Sequence, residues 1–202
     1  MTQEFDAKAA LWDQNPGRVK RAKEVAKAIL HEMPATQSVL EFGCGTGLLS
    51  FALRPFAETT TLADTSKGMI ETLDEKITAQ GIDDFHPVFI TEGAPELRGK
   101  SFDTIITLMV LHHIEDVPAT LTLFKSLLKP GGTLFIGDLQ EEDGSFHGGG
   151  FSGHCGFNRA SLTAQLNTAG FSKVHFQICH TMEKEVDGKS MTFPIFLATA
   201  RP

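Results

Sequence analysis

Apolar positions along the chain follow two rhythms that alternate. Between Gly17 and Met33, Val19, Ala22, Val25, Ala26 and Ile29 return at three- and four-residue intervals with Lys20, Arg21, Lys23 and Lys27 between them. That spacing predicts an amphipathic helix, ended by Pro34. "QSVLEF" then reads as a buried strand, followed by a glycine-rich corner and a short helix from Leu48 to Leu53 that Pro55 stops. The alternation continues with a strand over "TTTLAD", a helix over "SKGMIETLDEKITAQG" capped by Ser66 and ended by Gly81, and a strand over "HPVFIT". "FDTIITLMVL" is apolar, β-branched and too short for a core helix, as expected of a central strand covered on both faces. A helix over "DVPATLTLFKSLLKPGG", closed by a proline-glycine turn, leads to a fifth strand, "TLFIGDL". Strands alternating with helices in this way predict an α/β fold with a parallel sheet and right-handed crossovers.

From Gln140 to Phe157 the rhythm stops. "EEDGSFHGGGFSGHCGF" holds six glycines and no period, and a long structureless insert in a compact domain is more often a lid, a binding loop or a disordered segment than filler. After a helix over "RASLTAQLNTAG", two long strands joined through Asp187-Gly188 predict a closing hairpin.

Composition narrows the picture only modestly. The 202 residues, with 41% hydrophobic and 21% charged, suit one globular domain. Residues 1–202 are read as that single domain, with 1–34 as an N-terminal helical cap. Acidic residues outnumber basic ones 25 to 18, for a net charge of -7, and no basic cluster offers a footprint for nucleic acid or an anionic membrane. Cys44, Cys155 and Cys179 are three, widely spaced and outside any CxxC pair, which argues against a disulfide scaffold and a structural zinc site. With no signal-like start and no spanning segment, a reducing, cytoplasmic setting is the expectation.

Candidate chemistry gathers where the strands end, because ligands of open α/β sheets bind outside the carboxyl ends of the strands. Asp64 follows Gly43 by 21 positions at the tip of the second strand, where a carboxylate accepts both ribose hydroxyls of a nucleoside; the alternative is a turn or a helix cap. The corner "GCGTG" lacks the third glycine of G-x-G-x-x-G, Leu48 standing in its place. Glu41 would repel a pyrophosphate there, whereas a cationic or zwitterionic ligand is compatible with it. Glu41 either holds an ammonium or fixes the loop through backbone N–H groups, and both are open.

"VLEFGCGTGLLS", "LADTSKGMIE", "SFDTIITLMVLHHIED", "LFKSLLKPGGTLFIGDL" and "NTAGF" resemble, in order and spacing, the motifs of class I S-adenosylmethionine-dependent methyltransferases of the small-molecule type, over Val39 to Phe171. The resemblance implies a Rossmann-like, seven-stranded, mostly parallel sheet of order 3-2-1-4-5-7-6 with strand 7 antiparallel and helices on both faces. It implies S-adenosylmethionine as cofactor, walled by Glu41, Gly43, Cys44 and Gly45, with Asp64 on the ribose, Thr65 and Met69 beside the adenosine, and Met109 facing the methionine part. The acid often found after strand three is missing. Either Glu92 reaches the adenine or the backbone around Gly93 and Ala94 does.

Methyl transfer needs chiefly an in-line approach, so a general base is optional. His112, His113 and Asp138 on the rim are the candidates for one, with His147 and His154 in the loop, and fixing the loop is the other role open to the histidine pair. Asp138, Phe146, His147, Phe151 and His154 are expected on the acceptor side, the aromatic residues among glycines suggesting a lid, with an exposed loop plugged by Phe157 as the alternative. "DGSFH" and the later "HCGF" resemble a subgroup acting on small molecules. His147, His154 and Cys155 have no ligand spacing, so no metal is expected. The reading is therefore a methyltransferase for a small-molecule acceptor. A catalytically silent module of the same fold and a nicotinamide-dependent oxidoreductase are the alternatives.

Overall fold

A computed structural model describes residues 2–33 and 36–202. Helix α1 (Thr2–Lys8) and a 3-10 helix (Ala9–Gln14) precede α2 (Pro16–Glu32), which Asn15 caps by accepting from the Gly17 and Arg18 amides. Pro34, expected to end α2, lies outside the described residues. Then follow β1 (Thr36–Phe42), α3 (Leu48–Leu53), β2 (Ala57–Asp64), α4 (Lys67–Gln80), β3 (Phe85–Phe89), β4 (Phe102–Leu108), α5 (Val117–Leu127), β5 (Leu128–Leu139), α6 (Arg159–Thr168), β6 (Ser172–Val186) and β7 (Lys189–Arg201). The caps expected at α4 are present: the Ser66 hydroxyl accepts from the Met69 amide, and Gly81 closes the helix in the left-handed region.

The sheet order is β3-β2-β1-β4-β5-β7-β6, parallel except for β7, which runs antiparallel to both neighbours. Asp187 and Gly188, both at positive φ, make the expected two-residue turn of the last hairpin. Alternation along the central strands feeds two cores. Val39, Ile106, Phe135 and Leu197 pack against α2 and α3, while Leu40, Ile105, Leu134, Ile136 and Phe196 pack against α5 and α6. A third cluster seats α4 on β2 and β3 through Ile70, Leu73, Ile77, Leu62 and Phe85. Among the described residues, no helix is long and apolar enough to cross a membrane.

Two sequence expectations need correction. The fourth strand stops at Leu108, three residues before the end of its apolar run, because Met109 turns to φ 58 and donates its amide to Gly137 O at 2.8 Å. The chain then leaves the sheet and presents His112 and His113 on a single 3-10 turn. The proline-glycine turn expected after α5 is instead a bulge within β5, where the register against β4 jumps from Phe102↔Leu128 to Thr104↔Thr133.

Candidate active site

At the tip of β1 the chain turns through Gly43, Gly45 and Gly47, all at positive φ, and enters α3. The amides of Gly43 and Cys44 both donate to Ala63 O of β2, at 2.8 and 3.0 Å, which fixes the corner against its neighbour strand. The glycines do different things. A Cβ on Gly43 would sit 2.3 Å from Val110 Cγ2, so that residue is small for packing. A Cβ on Gly45 would find nothing nearer than 3.9 Å, so Gly45 leaves open space beside the backbone.

Two carboxylates border that space. Asp64 accepts the Gly45 amide at Oδ2 (2.7 Å) and the Ser66 amide at Oδ1 (2.8 Å). Burial pushes its pKa up, and these amides oppose the push. Glu41 is 3% exposed, and its Oε2 accepts from both the hydroxyl and the amide of Ser50 on α3. Burial dominates there and pushes Glu41 up to about 8. Glu41 thus ties the end of β1 to α3 while its carboxylate stays in the cleft wall. Cys44 joins through its backbone, since its thiol packs among Leu62, Ile70 and Leu73 and burial holds it protonated. Met69 is buried beneath Gly45; Thr65, Glu92 and Gly93 are exposed along the same rim, with Ala94 buried beside them.

One continuous cleft of about 1360 Å³ runs from this corner to the histidines. That exceeds the roughly 300–1,000 Å³ of a typical small-ligand site, leaving room for two molecules side by side. At the far end, His112 is 1% exposed, and its Nδ1 lies 2.6 Å from Oδ1 of Asp138, which also accepts the Leu139 amide. His113 and His147 complete a cluster with ring centroids 4.1 to 5.3 Å apart. Burial first, then the neighbouring His112 and His147, lowers the pKa of His113 to about 4, and burial lowers that of His147. Phe151 stacks on His147 with centroids 3.8 Å apart, and Phe146 packs edge-on against Phe193.

The Gln140–Phe157 segment is pinned at its base rather than structureless. Glu141 and Glu142 amides donate to Phe157 O and Cys155 O, and Phe157 is buried in the core, as the plug alternative requires. Between these anchors Phe146, His147 and Phe151 reach the cleft. Two expected acceptor-side residues do not. Asp138 is fully buried behind His112, and His154 turns away, its amide bonded to His112 O (2.8 Å) and its Nε2 to Ile114 O (3.0 Å).

The N-terminal cap, in which the sequence reading named no site residue, supplies the other wall. Glu4, Phe5, Lys8 and Trp12 line the cleft, Phe5 placing its ring 5.4 Å from that of His113. Asp6 ties α1 to the Ser66 hydroxyl and the Gly68 amide, and Asp13 binds Lys76 at 2.6 Å. The signal was present: Phe5, Ala9 and Trp12 stand at i, i+4 and i+7. From α2, Arg18 lies over Trp12 at 3.7 Å, and Arg21, its pKa lowered to about 10 chiefly by burial, faces the same space.

A methyltransferase-domain family model matches residues 13–176. The chain is 30% identical over 151 residues to a protein of Schizosaccharomyces pombe named uncharacterized methyltransferase C1347.09, covering 67% of this chain and 53% of that one. It is 32% identical over 113 residues to a ubiquinone biosynthesis O-methyltransferase of Xanthomonas axonopodis pv. citri, covering 56% and 47%. The chain therefore spans about half the length of these curated relatives. In fold it is similar to the DhpI-SAM-HEP complex (TM-score 0.73, 21% identity, 99% of this chain and 95% of that one) and to the YcgJ protein of a Bacillus species (TM-score 0.70, 16% identity, 91% and 99%). With the sheet order, the glycine corner and the family match in agreement, the chain belongs to the class I S-adenosylmethionine-dependent methyltransferases.

Proposed function

We propose that this chain transfers a methyl group from S-adenosylmethionine to a small-molecule acceptor, the cofactor lying at the glycine corner and the acceptor at the histidine end. The continuity of the cleft between those two ends is the observation that carries the reading. Each Asp64 oxygen accepts one amide and keeps a second lone pair for a ribose hydroxyl. Glu41 supplies a carboxylate for the cofactor ammonium, and Met109, forced to positive φ, brings its backbone to the methionine part. Thr65 and Met69 border the adenosine, and Glu92, Gly93 and Ala94 its base.

On the acceptor side, the rings of Phe5, Phe146 and Phe151 offer apolar walls, and Arg18 and Arg21 favour an acceptor carrying an anionic group. His113, neutral at physiological pH, faces the acceptor with an unprotonated ring nitrogen, and His147 stands beside it. Positioning supplies most of the acceleration. The net charge of -7 supports a small molecule over nucleic acid, and three free thiols suit a reducing cytoplasm.

The test is a panel of acceptors, headed by hydroxylated aromatic acids because some relatives are named for ubiquinone O-methylation, with S-adenosylhomocysteine release as the readout. Release with at least one acceptor is expected. A chain that binds the cofactor tightly yet methylates nothing in the panel favours the silent-module reading.

A further inference from the structure

We propose that His112, His113 and His147 form a binding site for a borderline divalent transition metal, with Zn²⁺ the simplest occupant. One ring nitrogen from each residue lies within 4.8 Å of the other two. Two of these rings hold nitrogens that no group among the described residues satisfies: His112 Nε2 and His113 Nδ1 are buried without a hydrogen-bond partner there. A buried polar atom left unpaired is costly, so a pair of them on adjacent rings asks for a ligand.

The second shell is built to match. Asp138 accepts at Oδ1 from His112 Nδ1, 2.6 Å away, which places the proton on Nδ1 and leaves Nε2 as a lone pair. Asp138 is itself held by the amides of Leu139 and His112. A carboxylate behind a histidine is the arrangement that orients metal-binding imidazoles. Phe151 stacked on His147 and Phe5 edge-on to His113 form an apolar surround.

Three imidazoles suit zinc, copper, nickel or iron rather than magnesium or calcium. Zn–N bonds of about 2.1 Å put tetrahedral ligand atoms roughly 3.4 Å apart. A bound metal would therefore draw the rings slightly together. His147 belongs to the 140–157 loop and the other two to the sheet rim, so the ion would cross-link the loop to the body of the fold. All three residues line the cleft, so an oxygen or sulfur donor bound there could complete the ion's coordination. Chain spacing hides this site, because two ligands are adjacent and the third is 34 residues away.

The site does not rest on the methyl-transfer reading, and the experiment separates them. Tag-free, cofactor-free protein is titrated with Zn²⁺ in the presence of a competing chelator, while S-adenosylhomocysteine affinity is measured in parallel. One tight Zn²⁺ per chain is expected. Loss of more than about tenfold in Zn²⁺ affinity is expected for His147→Ala, which lies on the exposed loop and spares the core, and about ten- to a hundredfold for Asp138→Asn. Co²⁺ in its place should give the visible absorption of a tetrahedral site, altered in Asp138→Asn. Zn²⁺ should slow amide exchange over 144–151 in the wild type but not in His147→Ala. Equal Zn²⁺ affinity in the wild type and His147→Ala, or no binding above that of isolated surface histidines, overturns the metal site whatever the cofactor titration shows.

Discussion

At the glycine corner, the walls of the cleft come from the tips of β1, β2 and β3, and hydrogen bonds to backbone amides hold them: Asp64 to Gly45 and Ser66, Ala63 O to Gly43 and Cys44. At the histidine end, the walls are side chains drawn from residues 5, 112–113 and 146–151, held by ring contacts and by one buried carboxylate. The first region is made by backbone groups at the tips of adjacent strands, and the second by side chains brought together from distant segments. A common cofactor suits the first kind of site, and an acceptor that differs from protein to protein suits the second, where residues change without disturbing the sheet.

The largest test of this division removes the acceptor wall alone. Replacing residues 143–153 by Asn-Gly keeps the paired base at Glu142 and Cys155 and deletes Phe146, His147 and Phe151. Turnover should fall more than about a hundredfold, because reacting groups lose their placement. S-adenosylhomocysteine affinity, measured by calorimetry, should stay within a few fold. A comparable loss in both would show that the two ends are not separable.

Asp64→Ala addresses the other end. Losing a pair of charge-assisted hydrogen bonds to ribose should weaken cofactor binding about ten- to a hundredfold. An unchanged titration would reassign Asp64 to anchoring the corner.

The glycines sharpen the contrast between packing and access. Gly43→Ala, with its Cβ driven into the branched Val110, should destabilise the fold by about 2–3 kcal/mol in chemical denaturation. Gly45→Ala meets only the cost of a left-handed alanine, about 1 kcal/mol, but should impair cofactor binding more than Gly43→Ala does relative to stability. The reverse order would mean that Gly43, not Gly45, faces the ligand.

The smallest effect is a pH dependence. Glu41 is pushed up to about 8 in the free protein, so it is largely protonated at neutral pH. An ammonium beside it favours the ionised form, so binding releases a proton. Affinity should climb as pH rises toward about 8, by less than about tenfold per pH unit, and level off above it. In Glu41→Gln the slope over that range should vanish. A slope that survives the substitution belongs to another group.

Legibility in the sequence follows the same division. The order of strands and helices, the caps at Ser66 and Gly81 and the Asp187-Gly188 turn were readable because each depends on residues within a few positions of one another. The end of β4 was not, because Leu108 to Leu111 stay apolar while the turn at Met109 depends on a hydrogen bond to Gly137 in another strand. Which residues of the N-terminal cap enter the cleft was not legible for a related reason: the Phe5, Ala9 and Trp12 spacing is helical but brief, and Asp6 and Asp13 tie the segment down through partners at 66–68 and 76.

By itself the sequence determined the α/β alternation, the crowded glycine corner and the acids beside it, since hydrophobic period, backbone freedom and charge are properties of neighbouring residues. Only the tertiary structure decided that Gly43 packs while Gly45 opens, that Asp138 stands behind His112, that His154 faces away and that His147 joins the other two histidines. Those outcomes depend on which side chains meet across the fold, and distance along the chain carries no information about that.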